Sequence, residues 1–268
     1  MSNSGSIGDF FQSFIQTVGV TPSALSTQSG FSAANVLDWQ NPLYRYQSNA
    51  TSPDQTLLLD LGASPPSYVG IYLEGLNFAA CTWQANATDV WTSPSFAQSI
   101  TVSVDPVTSL RRGIFFFNAA HTTQSYRYTR LLIAAGTARD DGANFKVAKF
   151  FPLVSAREVI NRGEIIQTRQ RPVLTNEFPA GRKEILRQGE QFVTLELPWQ
   201  WMWNVALDAA TDEKSTMLAL ATDPDTPVVI CRDLNRPTEA YIMRNEANFG
   251  LSSEGVGARM PLVYRQVS

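Results

Sequence analysis

Hydrophobic and polar residues alternate in short runs along the first half of the chain, a pattern typical of β-strands with one buried face. Two runs are the clearest. Thr56–Gly62 (TLLLDLG) predicts a strand that ends in an aspartate and a turn glycine, and Tyr126–Ile133 (YRYTRLLI) alternates large apolar residues with polar ones. Neither run holds a catalytic group, so the pair indicates a recognition domain built as a β-sandwich.

The same pattern recurs between residues 36 and 154, where turn clusters rich in proline, serine, aspartate and glycine separate the runs. Short strands with turns at this spacing are typical of a sandwich, and the βαβ rhythm of a nucleotide-binding sheet is absent. The predicted strands are Leu57–Leu61, Tyr68–Leu73, Cys81–Ala85, Ile100–Val104, Ile114–Phe117, Arg127–Ile133 and Phe145–Phe150.

The N-terminal segment has a different pattern. Asp9–Val18 (DFFQSFIQTV) places apolar residues at helical spacing behind a capping aspartate, which predicts a short amphipathic helix docked on its own domain or on a partner. Gly19–Ala34 is rich in serine, threonine and glycine and predicts a connector or extended arm. The helix residues predicted to lie at an interface are Phe10, Phe11 and Phe14.

Charged residues become frequent after Arg157. Gln191–Leu197 alternates as a strand does, and Thr211–Ala221 has a helical apolar stripe that Asp223-Pro224-Asp225 ends. Together with three further strands, these elements predict a compact α+β domain. The three strands are Pro227–Cys231, Glu239–Glu246 and Pro261–Val267.

The chain is therefore predicted to be mainly β, with a β-sandwich followed by a smaller α+β domain. The expected parts are an N-terminal helix and arm at 1–35, the sandwich at 36–156 and the α+β domain at 157–268. No internal repeat is visible in the sequence.

Three tryptophans, Trp199, Trp201 and Trp203, alternate with other residues in the second half. In an extended strand their indoles lie on one face, because side chains alternate with period two. Three interpretations stay open. The row fills a core or an interdomain contact, anchors a subunit interface where tryptophan is enriched, or forms a stacking platform for a glycan.

Composition adds only a little. The chain of 268 residues has 44% hydrophobic residues and a net charge of −3, which gives no electrostatic footprint for nucleic acid. The first 110 residues hold one basic residue, Arg45, against seven acidic ones. Such a surface, solvated mainly by uncharged polar side chains, suits either contact with neighbouring proteins or plain polar loops.

Cys81 and Cys231 lie in apolar runs and are expected to be buried free thiols. The N-terminus lacks the basic and continuous apolar regions of a signal peptide, and no stretch approaches the ~18 apolar residues of a membrane span. The sequence therefore predicts a protein made in a cytoplasm and soluble there.

The sequence contains no set of residues that predicts catalysis. The single histidine, His121, sits in a turn-like stretch, and no nucleophile elbow, phosphate-binding glycine loop or CxxC pair occurs. Asp140-Asp141-Gly142 offers oxygen ligands for Ca²⁺ but lacks the spacing of a calcium loop, and a turn is favoured. No catalytic residue, metal ligand or cofactor is predicted, and the expectation is that the chain is not an enzyme.

Several of these segments resemble a discoidin-like (galactose-binding-like) β-sandwich across residues 36–154. The DLG strand and the RYxRL strand occur in the order and at the separation found in that fold. The segments that carry the resemblance are Trp39, Arg45–Ser48, Thr56–Gly62, Tyr68–Phe78, Trp83, Arg127–Ile133 and Phe145–Phe151.

The second half resembles the C-terminal part of tail proteins of long-tailed bacteriophages, through Gly189–Leu197, the helix after it, Pro227–Asp233, the strand around Tyr241 and the ending Met260–Ser268. This resemblance implies a tail-tip or baseplate protein of the distal tail or adaptor type. Its expected location is the virion, its expected form a homo-oligomeric ring, and its expected partners are tube, hub and tape-measure proteins. Residues 1–35 match nothing in that family.

Three functions follow as hypotheses. The leading one is a structural tail component that assembles through protein–protein contacts, in which Asp60, Arg127 and Arg130 hold the fold. The alternative is a carbohydrate-binding module for a host surface glycan, with Trp91 and Tyr126 as candidate ligand-loop aromatics. The third is a wall-degrading enzyme.

Overall fold

The computed structural model describes residues 10–41, 43–106, 108–154, 157–159, 166–170, 173–177, 183–187, 192–202, 227–231, 234, 236–245, 252–254 and 257–266. These residues form strands and two short 3-10 helices, at Ala33–Leu37 and Pro237–Glu239. None of the helices described there has both the length and the hydropathy to cross a membrane.

The strands are β1 Phe10–Phe14, β2 Thr21–Ala24, β3 Tyr46–Gln47, β4 Gln55–Asp60, β5 Gly70–Leu76, β6 Ala80–Asn86, β7 Phe96–Thr101, β8 Arg111–Phe116, β9 Tyr128–Ile133, β10 Lys146–Val147, β11 Lys149–Leu153, β12 Arg157–Val159, β13 Ile166–Gln170, β14 Val173–Glu177, β15 Lys183–Arg187, β16 Phe192–Met202, β17 Val228–Cys231, β18 Ala240–Asn245, β19 Ser252–Glu254 and β20 Gly257–Gln266.

Two compact units make up the chain. The first combines Met1–Val159 with Val228–Tyr241, and the second combines Ile160–Pro227 with Ile242–Ser268. The domain boundaries predicted from the sequence stay a prediction. The helix predicted at Thr211–Ala221 lies outside the described residues, so the mainly β class is confirmed and a second, α+β domain is not.

The first unit contains a β-sandwich of two antiparallel sheets. One sheet has the strand order β2-β4-β9-β6-β7 and the other the order β11-β5-β8. Both sheets contribute side chains to one core, among them Leu57, Trp83 and Leu131 from the first sheet and Ile71 and Phe150 from the second. Most strands predicted between residues 57 and 150 are confirmed, with ends that shift by a few residues. The exceptions are Ile100–Val104, which shares only Ile100 and Thr101 with β7, and Phe145–Phe150, which is divided between β10 and β11.

The two runs that stood out in the sequence are neighbours in this structure. Strand β4 pairs with β9 so that Leu57 lies opposite Leu131 and Leu58 opposite Arg130. Leu57 and Leu131 are fully buried, whereas Leu58 and Arg130 are only half-buried. The alternation in the sequence therefore reports one face in the core and one face toward solvent, as period two requires.

The helix predicted at Asp9–Val18 is wrong. Residues 10–14 form strand β1, which pairs with β12 on one side and with β17 on the other. Phe11 lies opposite Cys231 and Ser13 opposite Val229, so β1 completes a ladder with a continuous apolar strand. Pairing with this buried strand overrides the helical spacing of the apolar residues, and Val18 at the end of the predicted stripe is exposed.

The extended arm predicted at Gly19–Ala34 is also corrected in part. Thr21–Ala24 is an edge strand that pairs with β4, with Thr21 opposite Asp60. The segment then enters the 3-10 helix at Ala33–Leu37, which Ser32 caps by accepting a hydrogen bond from the backbone N–H of Ala34 at 3.2 Å. The polar composition of this segment gave no sign of a strand, because the side chains of this edge strand alternate between exposed and half-buried positions.

The outer face of the three-stranded sheet is covered within the first unit. Tyr72 and Arg112 on that face are fully buried. The Arg112 guanidinium lies 4.8 Å from the ring centre of Tyr241, in the segment that follows Pro237–Glu239. The outer face of the five-stranded sheet instead carries half-buried side chains such as Leu58 and Arg130, and it is the open face of the sandwich.

The second unit is also built from antiparallel strands. Strand β16 pairs with β13 and with β20, β19 adds to β20, and β14 forms a hairpin with β15. The strands predicted at Gln191–Leu197 and Pro261–Val267 are confirmed as parts of β16 and β20. Strand β17, predicted at Pro227–Cys231, belongs to the first unit.

Candidate functional site

A cavity of about 250 Å³ opens on the outer face of the five-stranded sheet, near the ends of β6, β7 and β9. Residues of these strands, the residue before β4 and the loop after β9 surround it. The lining residues are Asp54, Ala80, Cys81, Thr82, Ser99, Ile100, Thr101, Leu132, Ala134 and Thr137. We call this site the hydroxyl pocket, because four of its side chains carry hydroxyl groups.

The four hydroxyls belong to Thr82, Ser99, Thr101 and Thr137. They are free for a ligand: among the described residues, none forms a hydrogen bond with any of these side chains. Each hydroxyl is both a donor and an acceptor, so the pocket offers hydrogen bonds of either direction. Ser99 and Thr101 stand on β7, an edge strand, where polar side chains are usual.

One carboxylate joins the hydroxyls. Asp54 accepts a hydrogen bond from the backbone N–H of Ala135 at 2.9 Å through Oδ1, which ties it to the loop after β9. Its Oδ2 has no partner among the described residues and faces no lysine or arginine in the lining. Leu132, on the outward face of β9, supplies apolar surface. The pocket therefore combines hydroxyls, one acceptor charge and an apolar wall.

The thiol in the lining does not supply a nucleophile. Burial raises the pKa of Cys81 to about 12, so the group is protonated at neutral pH. Groups of three or more histidine, cysteine or acidic side chains that would hold a metal ion are absent from the described part of the chain. The chemistry that this pocket offers is hydrogen bonding and apolar contact.

Next to the hydroxyl pocket, Arg130 is held against an aromatic ring. Its guanidinium lies 4.0 Å from the ring centre of Trp91, and its Nε donates to Oε1 of Gln84 at 2.7 Å. Trp91 is fixed in turn, because its Nε1 donates to Oδ1 of Asp89 at 2.6 Å. Arg130 lies two residues before the pocket residue Leu132 on the same face of β9, and its cross-strand neighbour Gln84 lies two residues after Thr82 on β6.

Arg127, the other arginine in the RYxRL segment, has a structural role. Its Nε and Nη2 donate to the two carboxylate oxygens of Asp60 at 2.8 and 2.9 Å. The hydrogen bond from Arg127, with a smaller contribution from the backbone N–H of Gly62, lowers the pKa of the Asp60 carboxyl. This ion pair joins the end of β4 to the residue before β9, and in it the charges of Asp60 and Arg127 neutralise each other.

The predicted ligand-loop aromatics differ in position. Trp91 is half-buried and stacked on Arg130, at the edge of the open sheet face. Tyr126 packs against the core instead, with its ring centre 5.6 Å from that of Phe117. The structure therefore brings Trp91 near the candidate site, and it gives Tyr126 a packing role.

The predicted interface residues lie elsewhere. Phe10, Phe11 and Phe14 are on β1, and Phe14 is half-buried. Trp199 and Trp201 are on β16, where they pair with Met260 and Ala258, and Trp203 lies outside the described residues. Whether any of them contacts a partner stays a prediction.

The acidic turn and the histidine have partners within the fold. Asp140 accepts two hydrogen bonds from Arg111, at 2.7 and 2.9 Å, and Asp141 accepts from Lys146, Asn77 and the backbone of Ala143. Their carboxylates are thus used to hold the turn. The ring of His121 packs against Phe116, with ring centres 4.0 Å apart. The pair Asp223 and Asp225 lies outside the described residues.

Sequence reasoning missed the hydroxyl pocket. Its residues are far apart in the sequence and of types that are common on any exposed strand. The one usable signal was the placement of Thr82 and Leu132 on outward positions of two predicted strands. That signal needed the pairing of β6 with β9, which the sequence alone does not specify.

Comparison with known proteins gives structural neighbours only. No family model matches the chain, and no curated protein does. Among solved structures, chitosan-binding module 1 of a chitosanase/glucanase from Paenibacillus sp. IK-5 is 17% identical, with a TM-score of 0.35, over 50% of this chain and 94% of that module. The family 32 carbohydrate-binding module of Clostridium perfringens NanJ, in complex with galactose, is 13% identical, with a TM-score of 0.39, over 53% of this chain and 98% of that module.

A third neighbour is a C. perfringens module in complex with GlcNAc-α-1,4-galactose, 14% identical with a TM-score of 0.34, over 50% of this chain and 90% of that module. The two antiparallel sheets of the first unit agree with the predicted β-sandwich, and its discoidin-like identity stays a prediction. The predicted role as a phage tail-tip or baseplate component is wrong, because the similar structures are carbohydrate-binding modules. The ring and the tail-protein partners predicted with that role have no support. By fold, the chain is similar to carbohydrate-binding modules.

Proposed function

We propose that this chain is a carbohydrate-binding protein and that the hydroxyl pocket on the open face of its sandwich holds a sugar unit. The observation that carries the proposal is the pocket itself. In a cavity of about 250 Å³ it presents apolar side chains, four hydroxyls and a carboxylate oxygen, and neither the hydroxyls nor that oxygen has a hydrogen-bond partner among the described residues.

These groups match the chemistry of a sugar ring. A pyranose presents hydroxyls that both donate and accept, together with C–H groups that favour apolar contact. Hydroxyl and carboxylate side chains supply complementary partners, and each neutral hydrogen bond contributes about 1 kcal/mol net. Leu132, half-buried on the same sheet face as Thr82, gives the C–H face an apolar contact. A small pocket with a few convergent polar groups is the usual form of such a site.

The location supports the same function. The outer face of the three-stranded sheet is covered by the Pro237–Glu239 turn and the residues after it, whereas the pocket lies on the outer face of the five-stranded sheet. Galactose and GlcNAc-α-1,4-galactose are ligands of two of the similar structures, and those are properties of these proteins. The proposal for this chain rests on its own side chains.

The proposed function is binding without catalysis. The pocket thiol is protonated at neutral pH, since burial raises the pKa of Cys81 to about 12. The ring of His121 packs on Phe116. An assay of the purified protein on oligosaccharides tests this part, and release of reducing ends would contradict it.

Titration of the protein with neutral oligosaccharides, followed by calorimetry, tests the binding site. We expect measurable binding, and we expect Thr82→Val to weaken it by about fivefold to tenfold, because one hydroxyl partner is lost. Thr56→Val is the matched control. Thr56 lies on the other side of Leu132, on β4, and does not line the pocket. Equal effects of the two substitutions, or no binding of any sugar, would contradict the proposal.

A further inference from the structure

We propose that the glycan bound on this face carries an anionic group, a carboxylate or a sulfate, and that Arg130 receives it. The inference rests on the proposed function and adds the class of the ligand. It arises from an arginine that the fold orients and that forms no ion pair with any described residue.

The orientation of Arg130 is fixed on two sides. Its guanidinium stacks on Trp91 at 4.0 Å, and its Nε donates to Gln84 at 2.7 Å. Such a stack holds the guanidinium plane while leaving its edge free, and the terminal nitrogens match the two oxygens of a carboxylate or sulfate. A guanidinium fixed before binding loses less side-chain entropy when an anion arrives.

The charge of Arg130 is not neutralised by the protein. Among the described residues no carboxylate lies within ion-pair distance of it, whereas Arg127 on the same strand is paired with both oxygens of Asp60. Desolvation by burial lowers the pKa of Arg130, and the nearby charge of Asp89 opposes that effect only in part. An anionic ligand would supply the partner that the fold lacks.

The distance to the pocket fits one ligand. Leu132 and Thr82 line the pocket, and Arg130 and Gln84 are the next outward residues on the same two strands. Arg130 and Ala134, at the far end of the pocket, are four residue steps apart, which is about 13 Å of extended chain. A short oligosaccharide covers that span. Its acidic unit would lie at Arg130 and a neutral unit near Asp54, where like charge excludes an acid.

The test compares three probes of equal length by calorimetry, using the full chain. The probes are a trisaccharide of galacturonic acid, a 6-sulfated galactose trisaccharide and a neutral galactose trisaccharide. We expect one of the two acidic probes to bind at least about tenfold more tightly than the neutral one, a difference typical of a charge-assisted pair. The acidic probe that binds more tightly than the neutral one shows whether the preferred anion is a carboxylate or a sulfate.

Arg130→Gln should remove that gain and leave the affinity for the neutral probe within about twofold. Arg127→Gln is the matched control, because its charge is already paired with Asp60, and it should leave the gain intact. A urea unfolding curve of each variant checks folding. Should Arg130→Gln fail to fold, wild-type affinity for the acidic probe should still fall about tenfold between roughly 0.05 M and 0.5 M NaCl, and affinity for the neutral probe should not.

The outcomes separate the two proposals. Binding of the neutral and acidic probes with equal affinity would overturn the anionic ligand and leave the carbohydrate-binding function standing. An acidic gain that survives Arg130→Gln or disappears in Arg127→Gln would overturn the role of Arg130. Absence of binding to all three probes and to any other sugar tested would overturn the proposed function itself.

Discussion

The pair Asp60–Arg127 shows how single residues hold this sandwich together. The two hydrogen bonds join β4 to the residue before β9, and Asp60 also accepts from the backbone N–H of Gly62 at 2.9 Å. Both side chains are partly exposed, at 27% for Asp60 and 38% for Arg127. The pair is therefore expected to stabilise the fold modestly, since solvent screens partly exposed ion pairs.

Replacing Asp60 with alanine should lower the free energy of unfolding by about 1 kcal/mol. Urea unfolding followed by tryptophan fluorescence measures the change, and neutral sugar affinity should stay within about twofold. Asp60→Asn is the control, because its side-chain oxygen still accepts from Gly62. A variant with unchanged stability that lost sugar binding would show that Asp60 acts on the ligand.

The lowered pKa of Asp141 predicts how the stability of the fold depends on pH. Hydrogen bonds from Lys146 and Asn77 lower the pKa of its carboxyl to about 2, below the value of about 3.9 for an unfolded chain. The folded state therefore binds this proton less readily, and the stabilisation is complete above about pH 4 and is lost as the pH falls toward 2. Asp141→Asn should lose stability at pH 6 and show a weaker fall of the urea midpoint between pH 5 and pH 2.5. Parallel curves for both proteins would contradict this.

At the scale of elements, the buried charge on β8 is the most consequential feature. Arg112 is fully buried between Glu74 at 3.4 Å and Asp105 at 3.8 Å, and its Nη2 donates to Thr108 at 2.8 Å. Burial disfavours the charge of Arg112, but the two carboxylates outweigh that effect and raise its pKa. Arg112 therefore stays charged, and it joins β8 both to β5, through Glu74, and to the loop that precedes β8, through Asp105.

Arg112→Ala should lower the free energy of unfolding by about 3–5 kcal/mol, because it leaves buried carboxylates without their cation. Arg111→Ala, the adjacent residue, is the control. Its partner Asp140 is half exposed, so the loss should stay below about 1 kcal/mol. Urea unfolding measures the free energy of unfolding of both variants. Equal decreases would show that the buried ion pairs of Arg112 stabilise the fold no more than the exposed pair of Arg111 does.

Gly70 marks a close approach between β5 and β8. A Cβ at this position would lie 2.1 Å from the backbone oxygen of Phe115, and backbone cannot move aside as a flexible side chain can. Gly70→Ala should therefore destabilise the fold by about 3 kcal/mol or more, whereas Gly136→Ala, with open space around its Cβ, should change stability little. Thermal melting of the two variants measures the difference, and unchanged stability of Gly70→Ala would contradict the close approach of β5 to β8.

The local hydrophobic pattern predicted an element correctly where any neighbouring strand would bury the same face. It failed where pairing with one particular strand selects the conformation. Gln55–Asp60 and Tyr128–Ile133 were predictable because their alternation requires a half-buried strand in any sandwich. Residues 10–14 have apolar residues that fit a helix as well as a strand, and only the ladder with β17 selects the strand. The candidate site followed the same rule, since Trp91 was identified from its type while the pocket hydroxyls were not.

For the whole molecule, the return of Val228–Tyr241 to the first unit is the main organising fact. This segment supplies β17 beside β1 and places Tyr241 on Arg112. The sandwich is thus completed by residues that follow a long excursion of the chain through the second unit.

A fragment of residues 1–159 should therefore be less stable than the same fragment joined through a short glycine-serine linker to residues 228–245. Without the returning segment, Arg112 loses its contact with Tyr241 and β1 loses its pairing with β17, and each exposed or unpaired group adds to the loss. Size-exclusion chromatography and urea unfolding compare the two proteins. Equal stability would show that the sandwich is complete without the second part of the chain.

The sequence by itself determined the β class, the two central strands, the turn glycine after Asp60 and the buried state of the cysteines, because each follows from alternation, turn chemistry or apolar context within a few residues. Tertiary structure decided that residues 10–14 are a strand, that Arg112 is buried while Arg130 pairs with no described carboxylate, and that four distant hydroxyls share one pocket. These features depend on which strands pair and which face stays open. Both are set by contacts between residues far apart in the chain, which no local pattern records.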